Sequence, residues 1–302
     1  MKKMVEIEIV TSALNEGKNL RFFIESILKQ KGSSFTLKRV TIISDGSTDN
    51  TEEIVKSFKD SRINLILHKE RAGKQKRINE FMNGKDLYET IVHFDTDIIL
   101  EKDVLQKLAD IFAIDGKVGL ACGKPIPLTP NPGTLTEKIA LLGMNIYSAA
   151  EDDCKIDVPS FRCNGRVYAI SNKLANLFQT PSSVIEDDRF LYYTARVNNF
   201  DIKYCKEANI YYRLPSEFKD YIYQLVRYCT PTIKPHFNES LTKKYDINLR
   251  IPVLVLIFKS FFKKPLITSG FFISLTLSFI ISRLSKANNV WRMSPSTKSL
   301  FD

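Results

Sequence analysis

An α/β fold built on a largely parallel sheet is what this sequence predicts, and three observations predict it. Through the first hundred residues, short apolar runs alternate with segments of helical periodicity. Each of the first two runs ends in a polar cluster carrying helix-capping side chains. Two aspartates one residue apart, Asp95 and Asp97, close the run at 91–94, and the carboxyl edge of such a sheet is where ligands sit. Side chains at i and i+2 of an extended chain share a face, so both carboxylates can meet one cation. Alone, an Asp-x-Asp is more often a polar turn, so its company decides.

The elements follow in order. Residues 5–10 alternate apolar with acidic side chains and read as a strand; the polar break 11–16 leads to a helix over 20–28. The pattern repeats with a strand at 39–43, the loop Ser44-Asp45-Gly46-Ser47-Thr48-Asp49 and a helix over 51–58. A third strand spans 63–67, and a basic helix over 74–81 leads into the strand at 91. Beyond residue 100, helices are expected at 103–112 and 135–150 around a Pro-rich loop at 125–132, and a turn feeds a strand at 164–170. A short helix at 173–178, a helix within 185–197 headed by Glu186-Asp187-Asp188, and an aromatic helix at 221–229 complete the reading. No linker or repeat divides these parts. One catalytic domain over 1–240 and a tail over 241–302 are therefore expected.

At 302 residues and 44% hydrophobic content, the chain can bury a large core and is neither disordered nor fibrous. Five scattered cysteines without metal-ligand spacing imply reduced, structural thiols in a cytosolic compartment. The acidic residues Glu6 and Glu8 interrupt any signal-peptide core, so secretion by that route is not expected. The net charge of +10 concentrates in the tail, where ten basic residues from 243 onward face two acidic ones, a net +8. Between these charges lies the uncharged stretch 265–282, flanked by Lys263-Lys264 and Arg283. That pattern fits a helix that spans a membrane once or lies in its interface, drawn to anionic lipids by about 1 kcal/mol per basic residue. No aromatic-basic module accompanies the charge, so a nucleic-acid partner is not expected. Of the three histidines, His93 reads as packed within a strand.

Five signals occur in a fixed order: Ala13-Leu14-Asn15-Glu16, Ser44-Asp45-Gly46-Ser47-x-Asp49, Asp95-Thr96-Asp97, Glu186-Asp187-Asp188-Arg189 and Gln224-Leu225-Val226-Arg227-Tyr228. The series resembles family 2 of the inverting glycosyltransferases, over about residues 5–228. The last element looks like the Gln-x-x-Arg-Trp motif of that family's membrane-bound, polysaccharide-making branch. The resemblance implies the GT-A fold with a C-terminal helical tail, a nucleotide-sugar donor carrying UDP, and a divalent cation, Mg or Mn. It implies that Asp97 ligates the metal, with Asp95 touching metal or ribose. Ala13 and Glu16 would contact base and ribose, Asp45 would accept from the uracil imide, and Lys74 would touch the nucleotide. The general base would be Asp188, by matching Asn199-Phe200 to the family's Gly-Phe turn, or Asp187, by matching Glu186-Asp187 to its Thr-Glu-Asp form.

Each motif also has a physical task. A leaving diphosphate needs a Lewis acid, and the acceptor hydroxyl needs a base. Gln224, Arg227 and Tyr228, at i, i+3 and i+4, share a helical face. Arg227 offers a planar fork to the diphosphate, Gln224 a hydrogen bond, and Tyr228 a ring to stack on an acceptor sugar. The expected reaction moves sugar to a hydroxyl of a saccharide or glycolipid acceptor, at the cytoplasmic face of the membrane. Alternatives are a polyprenyl-phosphate glycosyltransferase, in which the Gln-x-x-Arg motif is normally absent, and a sugar nucleotidyltransferase, whose Gly-rich first loop is missing here. A non-catalytic scaffold would have no use for Asp97 and Asp188. The short tail offers too few spans for its own channel, which implies limited transfer or polymerisation with a membrane protein partner.

Overall fold

Four parallel strands form the half of the sheet that carries the first three signals. They are β1 (Val5–Ala13), β2 (Phe35–Asp45), β3 (Ile63–His68) and β4 (Thr90–Phe94), in the spatial order β3-β2-β1-β4. Helices α1 (Leu20–Leu28), α2 (Thr51–Ser57) and α3 (Lys74–Met82) make the crossovers. Every residue of β4 is buried, as expected for a central strand covered on both faces. The computed structural model describes residues 3–300 except 85, 129–132, 153–157, 231, 233–235, 246–249, 285–294 and 298–299.

The second half is mixed. Strands β5 (Ile98–Leu100), β6 (Val118–Pro127), β7 (Val167–Ser171) and β8 (Asp201–Tyr212) extend the sheet in the order β4-β7-β6-β8-β5. Strand β7 runs antiparallel to both β4 and β6, whereas β6 and β8 are parallel. Helices α4 (Val104–Ile114), α5 (Leu135–Asp152), α6 (Asn172–Ala175) and α7 (Asp187–Val197) lie between these strands. After β8 come α8 (Phe218–Cys229), α9 (Glu239–Tyr245), α10 (Arg250–Lys263) and α11 (Pro265–Leu284).

The start of the expected Pro-rich loop is instead strand. Pro125, Ile126 and Pro127 pair with Ile210, Tyr211 and Tyr212 of β8, while β7 pairs with β6 only at Leu120, Ala121 and Cys122. Beyond Cys122, β6 therefore has one ladder, and the prolines cost no ladder bond on the other side. Residues 129–132 of that loop, like Cys154, lie outside the described residues. The short helix expected at 173–178 contracts to α6, whose first turn is capped where the Ser171 hydroxyl accepts from Leu174 N.

Two apolar layers sandwich the sheet. One gathers Phe23 and Ile24 of α1, Leu105 and Leu108 of α4, Ile139 of α5 and Phe271 of α11; the other gathers Ile78, Tyr168, Leu174 and Tyr192. Each such side chain contributes roughly 1.5–3 kcal/mol of burial. Helix α11 is long and apolar enough to cross a membrane by length and composition. One face of it is nevertheless buried, through Thr268, Phe271, Ser274, Ser278 and Ser282, where the helix packs on α5 and α8.

Candidate active site

The parallel strands deliver three of the signals to one edge. Ala13 ends β1, Asp45 ends β2, and Asp95 follows β4, and these three strands are neighbours. The two loops above β1 and β2 are bonded to each other. Asn15, with φ 53, accepts at Oδ1 from Thr48 N at 2.8 Å; Gly17 N donates to Asp49 Oδ2 at 2.9 Å, and Glu16 N to Thr51 Oγ1 at 2.9 Å. Gly46 holds φ 77, and a Cβ there would come within 2.9 Å of Arg71 N, so the turn requires glycine.

Asp45 is buried and already engaged. It accepts from Ala72 N at 2.9 Å, Gly73 N at 2.8 Å and Arg77 Nε at 2.7 Å, and so fixes the approach to α3. Glu16 is buried and lines the same cavity, whereas Ala13 is fully buried and its carbonyl accepts from the Ser47 hydroxyl.

The antiparallel direction of β7 brings a further loop to this edge. Phe94 pairs with Val167, so Asn164-Gly165-Arg166 arrives beside the aspartates, and Asp95 N donates to Arg166 O at 3.1 Å. Gly165 N in turn donates to Asp188 Oδ2 at 2.8 Å, which draws the start of α7 into the site. Lys74, at the start of α3, donates to Asp95 Oδ1 at 2.7 Å and to Gly165 O at 3.0 Å, and lies 4.0 Å from Asp187 Oδ2. Both acidic clusters thus meet around one ammonium.

The electrostatics divide the carboxylates. Burial alone would raise the Asp95 carboxyl, yet the Lys74 ammonium holds it well below the usual carboxylate range. Burial, and then the charge of Asp95, push Asp97 up to about 6. Burial, and then Asp187, likewise push Asp188 up to about 6. Lys74 is raised, because Asp95 and Asp187 outweigh its burial. His93 is packed, as expected: it is fully buried, its Nδ1 lies 3.1 Å from Val10 O, and its ring lies 4.8 Å from that of Tyr168. Burial keeps it neutral by lowering its pKa, and at 3.6 Å its Nε2 is beyond hydrogen-bond reach of Asp95.

Gln224, Arg227 and Tyr228 of α8 line the cavity that holds these carboxylates. Burial lowers Arg227 to about 10, which leaves it charged at neutral pH. Tyr228 is exposed at the mouth. Arg166, which periodicity gave no reason to rank, is a second guanidinium in the site. It stacks 4.2 Å above the Tyr212 ring, and Tyr228, Tyr212, Asp97 and Asp95 raise its pKa against the lowering effect of burial. Arg189, next to Asp188, donates to Glu186 Oε1 at 2.7 Å, closing one turn at the start of α7.

Asp95 and Asp97 suit a hard divalent cation, since they are adjacent carboxylates, and the raised Asp97 marks negative charge that protein groups leave under-neutralised. Among the described residues no group of three or more His, Cys, Asp or Glu side chains gathers as a metal cage. Asp95 and Asp97 are two carboxylates that could share an ion with substrate phosphates.

Comparisons with known proteins bear on the fold and on residues 8–154. The family model described as Glycosyl transferase family 2 matches residues 8–154. The poly-beta-1,6-N-acetyl-D-glucosamine synthase of Staphylococcus aureus (strain COL) is 27% identical over 124 residues, 40% of this chain and 29% of that protein. Its Staphylococcus epidermidis counterpart is 28% identical over 120 residues, 39% of this chain and 28% of that protein. The matched region therefore spans under a third of the length of these curated relatives. Among solved structures, the mannosyltransferase PcManGT from Pyrobaculum calidifontis, in complex with GDP-Man and Mn2+, superposes with TM-score 0.59 at 14% identity, covering 93% of this chain and 76% of that one. S. aureus TarS 1-349 in complex with UDP gives TM-score 0.52 at 14% identity, over 82% of this chain and 68% of that one. Residues 8–154 thus match the family 2 glycosyltransferase model, and the chain has the GT-A fold of its structural neighbours.

Proposed function

We propose that the protein is an inverting glycosyltransferase that moves a sugar from a UDP-sugar to a hydroxyl of a saccharide or glycolipid acceptor, in the synthesis of cell-surface polysaccharide or glycoconjugate. One observation carries the reading: Lys74 and Gly165 tie the Asp95 and Asp187-Asp188 clusters together, in a cavity that Arg227 also lines. A diphosphate carrier and a base for the acceptor then face one space.

Asp188 is the general base, with Asp187 second. Asn199 has φ 58, the left-handed conformation that the glycine of a Gly-Phe turn would adopt, which supports the register ending on Asp188. With a pKa of about 6, Asp188 is largely ionised at neutral pH yet basic enough to take a proton as the hydroxyl oxygen attacks the anomeric carbon. The bond to the diphosphate breaks on the opposite side, and the hydroxyl proton ends on Asp188. Arg227 and Gln224 bind the departing diphosphate, and Tyr228 stacks on the acceptor. Glu16 holds the ribose, and Ala13 supplies backbone contacts near the base. Asp45 takes the base imide at Oδ2, which has one bond from Gly73. Lys74 orients Asp95 as well as touching the nucleotide. Asp97 and Asp95 would hold Mg or Mn, which when bound offsets the charge of the leaving diphosphate.

The polysaccharide-synthase relatives and the basic, apolar tail support work at the cytoplasmic face of the membrane. The test is UDP release from a panel of UDP-sugars, with and without EDTA, for the intact chain and for Asp97→Ala and Asp188→Asn. Activity that survives chelation or both substitutions would sink this mechanism.

A further inference from the structure

The active-site cavity has a wall that donor chemistry does not need. Its volume is about 2260 Å³, against roughly 300–1,000 Å³ for an ordinary small-molecule site. Around Asp97, Asp188 and Arg227 the lining is charged, but Leu254 and Ile257 of α10 and Phe272, Leu275 and Phe279 of α11 line the same space. Leu254, Phe272 and Phe279 are also 56%, 52% and 50% exposed, so they form a lip between cavity and surroundings.

The lip opens onto an apolar surface. Phe258, Phe262, Ile273, Leu277 and Ile280 of the same two helices are exposed, with Lys259, Lys263, Lys264 and Arg283 among them. Water is a poor solvent for such a face, and its cations match an anionic lipid surface. The opposite face of α11 is sealed against the catalytic fold: Ser274 and Ser278 are fully buried, and Ser278 donates to Ile222 O of α8 at 3.4 Å. A helix so attached is not free to be surrounded by lipid on all sides, and its exposed apolar face suits a membrane interface.

Building on the transfer reading above, we infer that the acceptor is an amphiphile resident in the membrane, whose sugar hydroxyl reaches Asp188 while its hydrocarbon chain leaves over the Leu254-Phe272-Phe279 lip. The head is saccharide because the base faces a hydroxyl; the tail is acyl- or isoprenoid-like because the lip presents only hydrocarbon.

The experiment uses the full chain and methyl, octyl and dodecyl glycosides of glucose and N-acetylglucosamine below their micelle concentrations, with acceptor-stimulated UDP release as the signal. UDP binding is measured separately by calorimetry with Mn2+. Stimulation at least about tenfold greater in kcat/KM for dodecyl than for methyl glycoside is expected, given about 0.8 kcal/mol per buried methylene. The double variant Phe272→Ser/Phe279→Ser, checked for fold by circular dichroism, is expected to lose most of that chain-length advantage. A response independent of chain length with UDP still bound overturns the amphiphile, and so does an advantage that the double variant keeps in full. Absence of UDP binding overturns the donor assignment and the inference with it.

Discussion

Lys74 donates to Asp95 Oδ1 across 2.7 Å, joining the first residue of α3 to the residue that follows β4. The same ammonium lies 4.0 Å from Asp187, and its charge lowers the pKa of both Asp97 and Asp188. Lys74→Met therefore removes a shared counter-charge rather than one contact. We expect kcat/KM to fall by about ten- to a hundredfold, in line with the loss of one preorganised electrostatic group. The acid limb of the pH profile is expected to move upward as well, because both carboxyls then hold their protons to higher pH. Lys74→Arg should restore part of each effect; a profile unmoved by Lys74→Met would show that the ion pair is structural only.

The pH dependence of the wild type follows from the direction of two shifts. Asp188 and Asp97 are both raised from 3.8 to about 6, and both act in the ionised form. Activity is therefore present above about pH 6 and lost below it, instead of below pH 4 as for an unperturbed aspartate. Measured kcat/KM should fall by more than tenfold per pH unit once both carboxyls are mostly protonated, approaching about a hundredfold, and a plateau extending to pH 4.5 would remove Asp188 as the base.

A stability experiment separates charge from catalysis. The folded-state pKa of Asp97 lies above its unfolded value, so its ionisation penalises the fold in full above about pH 6, and the penalty fades as pH falls from about 6 towards 3.8. Asp97→Asn should raise the melting temperature by a few degrees at pH 7.5, for about 1–2 kcal/mol after allowing for solvent screening, and by only about a third as much near pH 4.5. Mn2+ with UDP should stabilise the wild type and leave the variant unmoved. Calorimetric scans at the two pH values check both statements; a variant less stable at pH 7.5 would contradict them.

The parallel half of the fold and its carboxylates were legible in the sequence because period and punctuation agree there: each strand is a short apolar run, and each ends in a polar loop. Strand β8 was not. Lys203, Lys206 and Glu207 occupy its exposed positions, and its register against β6 slips between Cys122 and Lys124, which breaks the alternation a reader would count. The turn Asn164-Gly165-Arg166 was legible, but not its meeting with Asp95, which depends on β7 running antiparallel to β4. The role of the tail was only half visible. Hydropathy gives α11 its length, but the burial of Thr268, Ser274 and Ser278 against the catalytic fold is a tertiary fact.

That tertiary fact rests on two glycines. A Cβ at Gly143 of α5 would lie 2.5 Å from the Phe271 ring and 3.0 Å from the Tyr221 hydroxyl, and a Cβ at Gly270 of α11 would lie 2.5 Å from Ile139. The helices approach this closely because neither glycine has a side chain, and Phe271 fills the gap with full burial. Gly143→Val must push α11 outward, and overpacking of this kind costs about 1–3 kcal/mol, offset only slightly by the better helix propensity of valine over glycine. The melting temperature should therefore fall by a few degrees. The same displacement should open the α10–α11 junction, so trypsin should cut after Lys263 faster than in the wild type. Limited proteolysis followed by mass spectrometry reads that rate directly. An unchanged cleavage rate together with an unchanged melting temperature would mean that α11 does not depend on the Gly143-Phe271 contact for its seat.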